Sequence, residues 1–393
     1  ASVDTMNARN TQFTKAFHAL KQNAGSHSPS MEDLKKMFPT LEIKIDACYL
    51  SNPYASELVL DYIDRELIQT NAYKKVLTHY PSQQRSLQKV MAESLHVKPE
   101  NIFIGNGATE IIQMLLQQEE VQKVALMIPT FSSYYEFVGK GCEVVYFPLN
   151  ERDDYSFDAD KYCQFIENEQ PDTVVLINPN NPNGAYLSLE KMHILLKRLA
   201  FVPRIIIDES FIHFAYEDEA LTCLSSTVLF DMYPNVIIVK SLSKDFGIAG
   251  VRLGYALMDS RKIDALLEHG FLWNINGIGE YCLRLFVRED FLKRYEEARK
   301  QYIKEMCRFK EALLGIENVY VYPSMANFVM LKLPSRIKAS FVISALLVEY
   351  GIYVRTMADK IGVEGECIRI AGRTREENNC IVMALKSILK DSK

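Results

Sequence analysis

Four apolar runs in this 393-residue chain each end on residues that could do chemistry. Lys244 lies in "KSLSKDFGIAGVRLGY", directly after "NVIIVK", where a strand gives out. Asp208 ends "RIIID", Asn181 follows "TVVLINPN", and "GNGATE" follows "NIFI". A lysine in a desolvated, partly cationic pocket has a depressed pKa and attacks a carbonyl as the free amine. An ordinary surface lysine would instead sit on the polar face of a helix.

Pyridoxal 5'-phosphate offers such an amine an aldehyde, and brings a phosphate and a ring nitrogen that needs an acidic partner. Ser241, Ser243 and Arg252 would hold the phosphate, the arginine as a bidentate charged clamp. Gly107, Ala108 and Thr109 open a helix and would offer further donors to the same dianion. Asp208 would pair with the pyridinium nitrogen and keep it protonated. Taken singly, each residue has a plainer reading: Lys244 as a surface lysine, Asp208 as a cap and Arg252 as half of an ion pair. Asn181, in "NPNNPNG", is a turn-former in its own right. Their arrival together at strand ends favours the chemical reading, because open α/β sheets gather ligands at the carboxyl ends of their strands.

The elements that must position them alternate along the chain. Strand-like runs "KVALMIP", "EVVYFPL", "TVVLINP", "RIIIDES", "NVIIVKS" and "GYALMD" are separated by helical patterns such as "SLEKMHILLKRLA". Continuous Val/Ile/Leu runs predict strands buried on both faces, hence a mainly parallel, helix-covered sheet in an α/β fold. "EDFLKRYEEARKQYIKEMCRFKEALL" reads as one long helix, and the remainder as a smaller α+β domain. The expected organisation is an N-terminal arm with part of the small domain over 1–75, a large cofactor-binding domain over 76–270, and the long helix with the small domain over 271–393. The first ~45 residues read as an arm or a peripheral helix pair.

Composition narrows the partners. A hydrophobic content of 48% with 24% charged residues suits a globular chain with a sizeable core. The net charge of −5 argues against nucleic-acid binding. Eight cysteines without a C-x-x-C pair suggest neither a zinc site nor a disulfide framework, and fit a cytoplasmic protein. No apolar run approaches the ~20 residues that span a bilayer, so no membrane is expected. "KDFG" echoes a protein-kinase triplet without the H-R-D that should precede it, and "GNGATE" lacks the third glycine of a dinucleotide fingerprint.

"SLSKDFGIAGVRLGY", "NPNNPNG", "DESF", "IPTFSSYYEF", "HYPSQQRSL", "ANFV" and "IRIAGRTREEN" together resemble the class I/II aminotransferases of the fold-type I pyridoxal-phosphate enzymes. Within these the chain is similar to histidinol-phosphate aminotransferase and threonine-phosphate decarboxylase. The resemblance runs from about Asn52 to the C-terminus. It implies a large domain with a mainly parallel seven-stranded sheet, a smaller α+β domain, and a homodimer with shared active sites. It implies that Lys244 carries the cofactor and moves protons, and that Asn181 contacts the cofactor's phenolic oxygen. Phe131 would stack on the pyridine ring, and Tyr80 would reach the phosphate across the dimer interface. Arg369 would grip the substrate carboxylate, with Arg355 the next candidate, and Asn52 and Tyr54 would line the substrate pocket.

Two positions depart from the family pattern. Phe211 stands where the aminotransferases usually carry a tyrosine hydroxyl on the phenolic oxygen, which looks more like the decarboxylase branch. Ala55 stands where a glycine is common. The main expectation is amino transfer from an amino acid such as glutamate or alanine to an oxo or aldehyde acceptor, one that carries a phosphate or phosphonate by analogy. The alternatives are a pyridoxal-phosphate decarboxylase or an elimination or cyclisation enzyme acting on an amino acid, and, more remotely, a non-catalytic regulatory module.

Overall fold

The structure is a computed structural model that describes residues 12, 14–16 and 31–391. The arm or helix pair expected over the first 45 residues therefore lies largely outside the described residues. Seven strands form the central sheet: β1 (Ile102–Gly105), β2 (Lys123–Ile128), β3 (Glu143–Pro148), β4 (Thr173–Ile177), β5 (Arg204–Asp208), β6 (Val236–Ser241) and β7 (Gly254–Leu257). Their order is β1-β7-β6-β5-β4-β2-β3, and only the pairings made by β7 are antiparallel. Every residue of β4 and β6 is buried, as continuous apolar runs require when helices cover both faces. The expectation of two-sided burial fails at β3. It is the sheet edge, paired only with β2, and "EVVYFP" leaves its side chains partly or fully exposed.

Parallel strands deliver their carboxyl ends to one side, so β4, β5 and β6 bring Asn181, Asp208 and Lys244 to a common rim. β1 enters the rim from its own end and feeds α2 (Gly107–Leu116). The helical pattern "SLEKMHILLKRLA" forms Leu189–Arg198, started by Ser188, whose side chain accepts the Lys191 N–H.

The long charged run forms one 26-residue helix, α3 (Glu289–Leu314). Its apolar stripe, at spacings of three, four and seven residues, buries Phe291 and Tyr295 in the core of the large sheet. Further along, Tyr302, Met306, Phe309 and Leu313 enter a second core. That core backs a four-stranded antiparallel sheet made of β8 (Tyr320–Val321), β9 (Phe328–Lys332), β10 (Arg355–Thr356) and β11 (Cys367–Ala371), ordered β10-β11-β9-β8. Ile45–Asp46 pairs in parallel with Ile352–Tyr353 and ties the N-terminal segment to this side.

The loop after β6 is pinned from outside. α1 (Pro53–Ile63) presents Ser56, whose Oγ donates to the Gly247 carbonyl at 2.8 Å. Gly247 has φ +63, and a Cβ there would lie 2.5 Å from the Asn52 carbonyl oxygen and closer still to Ser56 Oγ. Gly247→Ala is therefore expected to lower unfolding free energy by about 1–3 kcal/mol, read by urea denaturation, because backbone rather than a flexible side chain must give way.

Candidate active site

A cavity of about 620 Å³ opens at the rim where β4, β5 and β6 end, and the strands β10 and β11 form its other wall. Of the residues expected from the sequence, Ala108, Thr109, Phe131, Asn181, Asp208, Phe211, Ser241, Ser243, Lys244, Arg252, Arg355 and Arg369 line it.

Lys244 opens toward this space, with its Nζ 5.5 Å from the centre of the Phe211 ring. Desolvation pushes its ammonium down to about 8; Asp208 opposes that shift and Arg252 adds to it. Such an amine is largely a free nucleophile in mildly alkaline water, which a solvated lysine is not. Asp208 is buried and fixed at both oxygens: Tyr134 Oη donates to Oδ2 at 2.6 Å and the Ser210 N–H to Oδ1 at 2.9 Å. Burial, and then the Asp208 charge, hold the Tyr134 phenol well above its usual range, so it stays a donor.

The large-domain wall forms an anion cradle. Ser243 Oγ is buried without a hydrogen-bond partner among the described residues, and α2 starts at Asn106 without a side-chain cap on its first N–H groups. Gly107 does not itself line the cavity. Its φ is +79, and a Cβ there would lie 2.6 Å from Arg252 Nη2, so its part is to let the guanidinium close over the helix start. Arg252 is anchored by donating to the Ala249 carbonyl at 2.8 Å.

The opposite wall is also cationic. Arg355 and Arg369 are direct cross-strand partners on β10 and β11, and both are buried. Arg369 Nη1 donates to Asn181 Oδ1 at 2.9 Å, which joins the two walls. Burial, with Arg355 second, pushes Arg369 down to about 10. Asp359 offsets part of the Arg355 charge at 3.1 Å, and the buried Lys360 adds a third cation. Phe211 packs edge-on against Phe328, with ring centres 5.0 Å apart.

Besides Gly107, three expected residues stand outside the cavity lining. Asn52 is wholly buried and caps α1, its Oδ1 accepting from the Tyr54 and Ala55 N–H groups at 3.0 and 3.2 Å. Its own N–H donates to the Lys244 carbonyl at 2.8 Å, so it steadies the lysine loop rather than lining the pocket. Tyr54 turns toward Tyr302, with ring centres 5.9 Å apart. An asparagine before a proline is a preferred helix start, and the chain uses it so. The N-terminal wall is supplied instead by Asp46, Cys48, Tyr49, Leu50 and Ser51. Tyr80 is 84% exposed and packs on Trp273 at 5.2 Å, away from the cavity of its own chain. Tyr134 and Lys360 escaped the sequence reading, although "FSSYYEF" offered two tyrosines beside Phe131.

An orphaned serine hydroxyl in a cradle that a Cβ would fill, a carboxylate held for a cationic ring nitrogen, and a desolvated amine fit pyridoxal 5'-phosphate. The comparisons agree. Residues 51–385 match the family described as Aminotransferase class I and II. The L-serine phosphate decarboxylase of Campylobacter jejuni is 46% identical, over 98% of this chain and 99% of that protein. A histidinol-phosphate aminotransferase of a Thermoanaerobacter species is 32% identical, over 77% and 82%. The solved structure of a decarboxylase from Sulfurospirillum multivorans is 92% identical with a TM-score of 0.88, covering 96% of this chain and 99% of that one. The chain belongs to the class I and II aminotransferase family, with the fold-type I architecture and pyridoxal phosphate as cofactor.

The lowered amine of Lys244 sets a pH test. Because the reactive form is the deprotonated one, adduct formation between the apoprotein and pyridoxal phosphate should accelerate as pH rises to about 8 and level off above it. Lys244→Ala should abolish the borohydride-reducible adduct; peptide mass mapping of that adduct to another lysine contradicts the assignment.

Proposed function

We propose that this chain removes the carboxyl group of an amino acid bearing a side-chain phosphate, with L-serine phosphate the leading substrate. The observation that carries the proposal is the buried cross-strand pair Arg355–Arg369 with Lys360 on the same wall. Like charges in direct register repel; Asp359 offsets part of that repulsion, and an anion in the space before the pair would relieve it further. A substrate carrying both a carboxylate and a phosphate supplies that charge, and guanidinium groups match both geometrically. The C. jejuni relative, matched along nearly its whole length, is named for this activity, and the S. multivorans structure is named as a decarboxylase.

When bound, the cofactor supplies an electron sink for the pair left on the substrate Cα. Asp208, held by Tyr134 and the Ser210 N–H, keeps a proton on the ring nitrogen. Ser243, Arg252 and the start of α2 hold the cofactor phosphate. Arg369, fixed by Asn181, and Arg355 orient the substrate anions. Lys244 holds the cofactor, then returns a proton to the carbon that lost its carboxyl group. Phe211 presents a hydrocarbon face beside that amine, which favours departure of neutral carbon dioxide over retention of a carboxylate.

Amino transfer, the main expectation from the sequence, draws on the 32% identical histidinol-phosphate aminotransferase. The decarboxylase reading has the stronger support, because both more similar proteins carry that name. We also infer a homodimer in which Tyr80 completes the partner's site. Leu77, Tyr80 and Leu272, at 67%, 84% and 51% exposure, leave apolar surface for such an interface. A cytoplasmic location belongs to the same proposal; no helix among the described residues is long and apolar enough to cross a membrane.

Steady-state decarboxylation should favour L-serine phosphate over L-serine by about 100-fold or more in kcat/KM, the scale expected when a buried charge-assisted hydrogen bond to the phosphate cannot form. Arg355→Met should raise KM for the phosphorylated substrate and leave the cofactor absorbance unchanged. Equal kcat/KM for the two substrates contradicts the proposal.

A further inference from the structure

Behind the lysine loop lies a buried ion pair to which the reaction above gives no role. Lys240 Nζ stands 2.7 Å from Asp245 Oδ2, and the two side chains are 4% and 0% exposed. Asp245 is the residue after Lys244; Lys240 is the penultimate residue of β6. The same ammonium donates to the Glu209 carbonyl at 3.1 Å, and Glu209 is the residue after Asp208. Glu209 is itself held, accepting from Ser225 Oγ at 2.5 Å and the Ser226 N–H at 2.8 Å. One buried ammonium therefore joins the immediate neighbours of the two residues that the cofactor needs most.

We propose that the Lys240–Asp245 pair is a positioning clamp that fixes the Lys244 loop against the Asp208 strand end and sets one charge of each sign beside that lysine. The inference rests on Lys244 being the cofactor lysine. A buried pair is weak evidence of stability, since well-packed apolar residues often serve a core as well or better. Neither Asp245 oxygen has a hydrogen-bond partner among the described residues, Oδ2 being held by ion-pair contacts alone, a cost that a purely stabilising arrangement would avoid. The groups facing Asp245 come from several elements: Lys240 on β6, Tyr255 on β7, His213 Nδ1 (3.3 Å away) on the turn Ile212–Phe214, Cys223 on the segment after it, Lys244 on its own loop, and Tyr295 and Arg299 on α3. Tyr295 Oη lies 2.8 Å from the same His213 nitrogen and closes the arrangement. Asp245 favours the charged form of Lys244 and Lys240 disfavours it, so removing either charge unbalances the amine in a definite direction.

The test compares Asp245→Asn, Lys240→Met, Lys240→Arg and the double variant Lys240→Met/Asp245→Leu. Trace acetylation of the apoproteins across pH, with the Lys244 peptide quantified by mass, reads the amine directly. The clamp predicts a titration midpoint lower by about half a pH unit or more in Asp245→Asn, and higher by a similar margin in Lys240→Met. Turnover of L-serine phosphate by the holoenzymes should fall about tenfold or more in both, with KM little changed, as expected for a misplaced catalytic group. The double variant should regain thermal stability without regaining turnover, and Lys240→Arg should recover most of what Lys240→Met loses. Midpoints that stay put or move the same way overturn the clamp, as does a double variant whose turnover returns with its stability. If the single variants do not fold, the double variant and Lys240→Arg decide on the same terms. A wild-type enzyme inactive on L-serine phosphate refutes the proposed function and leaves the labelling result standing.

Discussion

Everything at this site depends on keeping one amine poorly solvated at the end of a strand. A lysine gives up hydration reluctantly, and the fold must offset that cost with geometry. Parallel pairing places β5 and β6 side by side with Asp208 opposite Val239, so the carboxylate arrives next to the lysine loop without special design. The loop then leans on α1, through the Asn52 N–H on the Lys244 carbonyl and Ser56 on Gly247. Backbone contacts thus hold the loop while the amine stays open to the cavity.

The cavity also separates two anion sites by origin. The cradle proposed for the cofactor phosphate comes from the large sheet, through the start of α2, Ser243 and Arg252. The cations proposed for the substrate come from the small sheet, through β10 and β11. Asn181 and Arg369 hydrogen-bond across the gap, and α3 runs its apolar stripe through both cores. The relative placement of the two sheets therefore decides whether a substrate with two acidic groups can be held above the cofactor. Phe211 sits where both meet, packed on Phe328 and facing Lys244.

Much of this was legible in the sequence because it follows from local rules. Apolar runs of strand length, interrupted by amphipathic helices, specify the sheet, and chemistry at its carboxyl ends follows from parallel pairing. What escaped notice is non-local or ambiguous in one dimension. "NPYA" reads equally as pocket lining or as a helix cap, and only packing shows that Asn52 turns its side chain into the cap. Tyr134 becomes important through a hydrogen bond to a residue 74 positions away, and Lys360 through a wall that faces the distant ends of β4, β5 and β6. β3 carries the composition of a central strand, yet its place at the edge is a property of the whole sheet order.

The most direct measurement follows L-serine phosphate carrying carbon-13 in its carboxyl group, turned over by the holoenzyme in heavy water. The account predicts labelled carbon dioxide in a one-to-one ratio with O-phosphoethanolamine that keeps its nitrogen and carries one deuterium on the carbon beside it. Accumulation of the corresponding phosphorylated 2-oxo acid, with the carboxyl label retained and the amino group lost from the substrate, would contradict it.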